Sequence, residues 1–233
     1  MIPCVSVENM RSSDAYTIAN FVPSLELIHR AARGIYNAVS WKGSVAIVTG
    51  SGNNGGDGFA LACILKEQGI DCTVFTVSDR LSGDSAYYAE QANKRNVKKM
   101  KFTENCLSGY SMVVDCLLGT GFQGQIREEY CAAIEAINRS GAYVVSADIN
   151  SGMNGDTGEA DIAVRSDLTV TIGFVKRGLI EPKAGKYIRK LICTDIGIVL
   201  EREEYWLTDD NNVLSSTIFK CPDWLDRKIQ KAY

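Results

Sequence analysis

Short apolar runs alternate with longer stretches of helical spacing between residues 44 and 196. The runs are Ser44–Gly50, Cys72–Val77, Ser111–Leu118, Tyr143–Ile149, Leu168–Gly173 and Arg189–Ile196. Most are near-continuous in Val, Ile and Leu, not alternating with polar residues. Strands buried on both faces carry this pattern, which predicts a parallel sheet covered by helices. Asp57–Gln68, Asp84–Asn96 and Arg127–Asn138 are the helical stretches between them. Upstream, residues 10–40 read as helical, with Leu25, Ile28, Ala32 and Ile35 at helical spacing and Pro23-Ser24 as a start signal. The alternation is that of a doubly wound α/β domain with right-handed crossovers. One domain is expected over residues 1–200. A charged tail with scattered aromatics (Tyr205, Trp206, Phe219, Trp224) follows over 201–233, expected to pack on the domain or on a partner.

Composition narrows the class. Of 233 residues, 45% are hydrophobic and 23% charged, enough to build a core and too much for disorder. The balance of 25 basic and 28 acidic residues gives a net charge of −3, which argues against a dedicated nucleic-acid binder. No apolar run approaches the ~18 residues of a membrane span, and MIPCVSVENM lacks the regions of a secretory signal, so the expected location is the cytoplasm. The eight cysteines form no CxxC, which argues against a zinc site or redox pair. Cys72, Cys116 and Cys193 sit in apolar runs and read as buried small hydrophobes. The single histidine, His29, lies beside an apolar stripe and reads as a packing residue.

In a parallel sheet, ligands bind beyond the carboxyl ends of the strands, and three loops there are unusual. Gly50-Ser51-Gly52-Asn53-Asn54-Gly55-Gly56-Asp57-Gly58 contains GxGxxG between a strand and a helix. Its glycines let the backbone approach phosphate at a helix N-terminus. Its surplus amides and carboxylate exceed what a pyrophosphate cradle needs. Gly119-Thr120-Gly121-Phe122-Gln123-Gly124-Gln125 repeats the GxGxxG pattern after the next strand pair. Either loop alone reads equally as a tight turn; together they suggest a ligand clasped from two sides. Asp148-Ile149-Asn150-Ser151-Gly152 adds a carboxylate and a hydroxyl at the same edge. Asp115 interrupts an apolar strand, so it must be paired or bound. Asp115, Ser151 and an Asn carbonyl suit a hard cation rather than zinc.

On these residues the chain resembles the YjeF N-terminal domain family, whose enzymes are NAD(P)H-hydrate epimerases. The matching stretches are GSGNNGGDGFALACIL (50–65), VVDCLLGTGFQG (113–124), SADINSG (146–152), DLTVTIGFVKRGL (167–179) and TDIGI (194–198). The resemblance implies a Rossmann-like three-layer α/β/α sandwich. It implies an isomerase that interconverts the S and R epimers of hydrated NADH and NADPH, a repair step ahead of a separate dehydratase. Carried over by motif, Asn53 to Asp57 and Gly119 to Gln125 contact the substrate. Asn54, Asp115 and Ser151 hold a potassium ion. Asp148 contacts the nicotinamide ring and acts as acid and base. A homodimer is compatible with the resemblance, and Glu204–Asp210 looks like a connector that precedes a dehydratase domain in fused members. Lys176 reads either as a neutralising or phosphate contact or as a structural salt bridge.

Two positions depart from the family pattern. Asn150 stands where proline is usual, an exchange expected to loosen the turn that aims Asp148 and Ser151. His29 stands where an acid is usual. The competing readings are a NAD-dependent oxidoreductase and a non-catalytic nucleotide-binding scaffold or sensor. The first lacks an acid at the right distance, since Asp71 comes early and Asp79 late. The second would be signalled by loss of Asp57, Asp115 and Asp148, all of which are present.

Overall fold

The computed structural model describes residues 3–81, 83–122, 124–202 and 206–207. The elements in chain order are β1 (Pro3–Val5), α1 (Val7–Asn20), α2 (Ser24–Ala38), β2 (Val45–Thr49), α3 (Asn53–Glu67), β3 (Cys72–Thr76), α4 (Gly83–Lys94) and β4 (Lys98–Lys101). Then come β5 (Met112–Cys116), α5 (Glu128–Arg139), β6 (Tyr143–Ala147), β7 (Leu168–Ile172), β8 (Val175–Lys176), β9 (Leu191–Thr194) and β10 (Trp206–Leu207).

Seven strands form one sheet in the order β4-β3-β2-β5-β6-β7-β9, every neighbouring pair parallel. Each of the six apolar runs is one of its strands. Their residues point alternately to two cores, because successive side chains in a strand leave opposite faces. Val45 and Ile47 of β2 join α2, α3 and α4 in one core, while Ala46 and Val48 join α5 in the other. This is the three-layer α/β/α sandwich. The seventh strand, β4, reads KKMK and is exposed along its length at the sheet edge. Lysines on an edge strand discourage pairing with another chain, at the cost of the apolar signal that identifies a strand. A second, small sheet orders β10-β1-β8.

The strand order reverses between β2 and β5, the topological switch point at which ligands bind in such sheets. The two glycine-rich loops leave these two strands. Residues 199–201 pack on α1: Val199 N–H donates to Thr17 Oγ1 and Glu201 N–H to Ser13 Oγ. The remaining tail residues, 203–205 and 208–233, lie outside the described residues, as does Gln123.

Candidate active site

The β2, β5 and β6 loops converge on a cavity of about 460 Å³ at the switch point. Asn53, Asn54, Asp57, Gly119, Thr120 and Asp148 line it, with Gly121, Phe122 and Gln125 farther along the β5 loop. Gly55 and Gly56 are buried behind the rim. A Cβ on Gly55 would lie 2.3 Å from the Gly50 carbonyl oxygen, so its glycine permits the loop to fold onto its own helix. Gly124 lines a neighbouring cavity instead. His29 is half-buried on α2 and is not among the lining residues.

Asp148 directly follows β6 with φ at 68°, the left-handed region that non-glycine residues rarely occupy. The conformation is held by its N–H donating to Val170 O at 2.8 Å. The side chain is fixed on one oxygen only. Oδ1 accepts from the Ile172 N–H at 3.3 Å and from Lys176 Nζ, with which it forms an ion pair. Lys176 is 1% exposed and its ammonium also donates to Thr171 Oγ1 (3.1 Å) and Ile172 O (2.7 Å). Oδ2 accepts no hydrogen bond among the described residues. It faces Gly119, where a Cβ would sit 3.6 Å from it and 3.2 Å from the Asn54 Cβ. The missing side chain leaves open space between Asn54 and Asp148.

Asp115 does not line the cavity; it organises the floor. The β5–β6 register places it opposite Ser146, whose Oγ donates to Oδ2 at 2.9 Å. Ser151 donates to it from both N–H (2.9 Å) and Oγ (2.5 Å), and the Leu117 N–H adds a fourth bond at 3.2 Å. Burial raises its pKa, and these four hydrogen bonds oppose that shift without cancelling it. Ser151 Oγ accepts in turn from the Leu118 N–H at 2.9 Å. One buried carboxylate thus ties the β5 loop to the β6 loop.

Asn54 Nδ2 donates to Leu118 O at 3.0 Å, but its Oδ1 is the one buried side-chain oxygen without a partner among the described residues. An orphaned amide oxygen costs free energy unless something coordinates it. Asn54 Nδ2 and Ser151 Oγ both reach the Leu118 carbonyl oxygen, with Asp115 behind Ser151, so the groups gathered here are oxygen donors of the kind that suits a hard cation.

Asn150 does not loosen its turn. It is fully buried, and its Nδ2 donates to Val164 O (2.9 Å), Ser166 Oγ (3.0 Å) and Tyr187 O (3.1 Å). Its Oδ1 accepts from Thr169 Oγ1 at 2.5 Å. The side chain restrains the turn through tertiary bonds, where proline restrains it through its ring.

Two lining residues had no signal in the sequence, Arg11 and Asp14 of α1. Burial raises the Asp14 pKa, Asp148 adds to the shift and Lys176 opposes it. Burial likewise pushes Asp57 well above the ordinary carboxylate range, reinforced by Asp148 and Asp14 and opposed by Lys176. Of the four carboxyls lining the cavity, Asp14, Asp57, Asp84 and Asp148, only Asp148 forms an ion pair with a lysine among the described residues.

Fold and site together define a Rossmann-like α/β/α domain with a carboxylate-lined cleft at its switch point. The model of the family described as YjeF-related protein N-terminus matches residues 24–178. The chain belongs to this family. It is 33% identical to an NAD(P)H-hydrate epimerase of Rhodopirellula baltica, covering 86% of each chain. It is 33% identical to another from Lentilactobacillus buchneri, covering 85% of this chain and 96% of that one. A bifunctional NAD(P)H-hydrate repair enzyme Nnr of Coxiella burnetii is 35% identical over 81% of this chain, which spans 40% of that relative's length. Among solved structures, yeast YNL200c shares the fold with a TM-score of 0.67 at 22% identity, covering 75% of this chain and 82% of the yeast chain.

Proposed function

We propose that the protein is an NAD(P)H-hydrate epimerase, interconverting the S and R epimers of hydrated NADH and NADPH. The observation that carries this is Asp148, one oxygen fixed by Lys176 and the other left facing open space beside Gly119. The names and coverage of the two single-function relatives support it. The epimerised carbon bears a hydroxyl next to the ring nitrogen. The nitrogen lone pair expels that hydroxyl, the carbon–oxygen bond breaks and a ring cation remains. The leaving oxygen takes up a proton, and water adds from the other face and releases one. The Asp148 carboxylate lies against the cation and stabilises it. Its Oδ2 accepts the proton of the returning water. Asp57 and Asp14 line the same cavity with pKa values raised by burial, and in this reading they supply the proton to the departing oxygen. In this reading Asp148 and these two carboxyls share the acid and base work that the family resemblance gives to Asp148 alone.

Asn54 Oδ1, Asp115 and Ser151 would hold a potassium ion. Bound there, it would supply positive charge that fixes the β2 and β5 loops around the substrate. A homodimer, a cytoplasmic location and a separate dehydratase consuming the S form belong to the same reading. Among the described residues no helix is long and apolar enough to cross a membrane. The test is isotopic. Incubation of an unlabelled hydrate in ¹⁸O water with the protein should place label in both epimers as they equilibrate. Epimerisation without label would exclude departure and return of the hydroxyl.

A further inference from the structure

Arg11 is a half-buried guanidinium on α1 that reaches across to the β5 loop. Its Nε and Nη2 both donate to the Thr120 carbonyl oxygen, at 2.9 and 2.5 Å. A guanidinium carries five N–H donors, so three are left over. Among the described residues no carboxylate pairs with Arg11 and no other hydrogen bond reaches it. The other cations at this cavity are committed: Lys176 to Asp148, and Arg127 to Glu129 at 3.3 Å while stacked 4.9 Å over the Tyr130 ring. A fixed cation with three uncommitted N–H donors, bordering a cavity otherwise rich in carboxylates, suits an oxyanion ligand.

Its position says which oxyanion. Thr120 borders both cavities: the one holding Asp148 and a second of about 1000 Å³ on the far side of the β5 loop. Gly119, Phe122, Gln125 and Ile126 border both as well, so this loop is the ridge between them. α1 runs along the same line, with Arg11 and Asp14 at the first cavity and Val7 at the second. The first turn of α3 opens on the first cavity through Gly52 and Asn53, and no side chain caps it. Its free N–H groups add to the attraction for negative charge. A dinucleotide carries its diphosphate midway between two nucleosides, which matches a cation on a ridge between two cavities.

We infer that Arg11 binds the diphosphate of the substrate, so that the dinucleotide lies across the β5 loop with its reacting ring at Asp148 and its second nucleoside in the larger cavity. This rests on the hydrate reading only for the identity of the reacting ring. Thr120 holds the guanidinium in place, and its remaining N–H donors meet the phosphate oxygens.

The experiment compares Arg11→Ala and Arg11→Lys with the unaltered full chain. Epimerisation is measured on hydrated NADH and on the hydrate of reduced nicotinamide riboside, which has no phosphate. Binding of ADP-ribose and of adenosine is measured by calorimetry. Arg11→Ala should raise KM for hydrated NADH and Kd for ADP-ribose by about tenfold or more, the worth of a charged hydrogen-bond pair. kcat on the dinucleotide, adenosine binding and turnover of the riboside hydrate should stay near those of the unaltered chain. Arg11→Lys should recover part of the loss. Equal loss on the riboside hydrate would show that Arg11 merely holds Thr120 and would overturn the inference. So would unchanged ADP-ribose affinity. An unaltered chain that turns over no hydrate would refute the epimerase reading, while the ADP-ribose measurement would still decide the role of Arg11.

Discussion

Lys176 is buried beneath Asp148 and pairs with only one of its two carboxylate oxygens. The lysine is carried by β8, which follows β7 after a two-residue turn, and the aspartate by the end of β6. Elements of two different sheets therefore set the orientation of a carboxylate whose other oxygen faces the cavity.

The pair serves both fold and chemistry, and mutation should separate the two. Lys176→Met removes the cation and should destabilise the protein by about 3 kcal/mol, the cost of breaking a buried pair from one side. Asp148→Asn should also destabilise, because Lys176 keeps only Thr171 and a carbonyl as partners. The double substitution should regain most of the stability and none of the turnover. Urea unfolding beside the activity assay checks this; a double variant no more stable than either single one would count against the coupling.

Asp57 makes stability depend on pH. Its folded pKa lies above the unfolded value, so the folded state holds a proton that the unfolded state has released. That contribution is complete below the unfolded pKa, near 3.8, and is lost as pH rises through the raised folded value. Asp57→Asn should therefore gain stability relative to the unaltered chain at pH 7 to 8 and lose that advantage near pH 4. Melting curves across this range are the measurement, and parallel curves for the two proteins would contradict the assignment.

The unpartnered Asn54 oxygen predicts a cation effect. Potassium chloride should raise the melting temperature more than lithium chloride at equal ionic strength. A cation at about ten times its dissociation constant adds about 1.4 kcal/mol. Asn54→Ala should abolish the difference between the salts. No preference in the unaltered chain would argue that the orphaned oxygen has another partner.

Asn150 predicts a loss that its surface-loop sequence does not suggest. Asn150→Ala removes four buried hydrogen bonds and leaves Val164 O without its Asn150 donor, while Thr169 Oγ1 and Ser166 Oγ keep each other and Tyr187 O keeps the Ser166 N–H, a loss on the order of 2 kcal/mol. Asn150→Pro should lose a similar amount, because a ring restrains φ without satisfying those groups. Chemical denaturation of both variants checks this, and unchanged midpoints would show the network to be dispensable.

What the sequence revealed follows the range of the forces involved. The five inner strands were legible because burial on both faces leaves a continuous apolar run, and the edge strand β9 keeps a short one in Leu191-Ile192-Cys193. Asp115 was legible because a charge inside such a run demands an explanation. β4 was hidden because an edge strand of lysines looks like a loop. β1 was hidden because its three residues pair with partners about 170 and 200 positions away, a register that no local pattern encodes. Arg11 and Asp14 were missed for the same reason: α1 reaches the site only when Arg11 meets Thr120, 109 residues on. Asn150 was misjudged because a residue's backbone preference was visible and its four tertiary hydrogen bonds were not.

Purified R epimer of NADPH hydrate, followed by chromatography with the protein and with an enzyme-free control, decides whether the Asp148 site epimerises it. S epimer should appear far faster than in the control. Asp148→Asn should remove this rate while ADP-ribose still binds. A rate equal to the control with a folded, nucleotide-binding protein would contradict the epimerase reading.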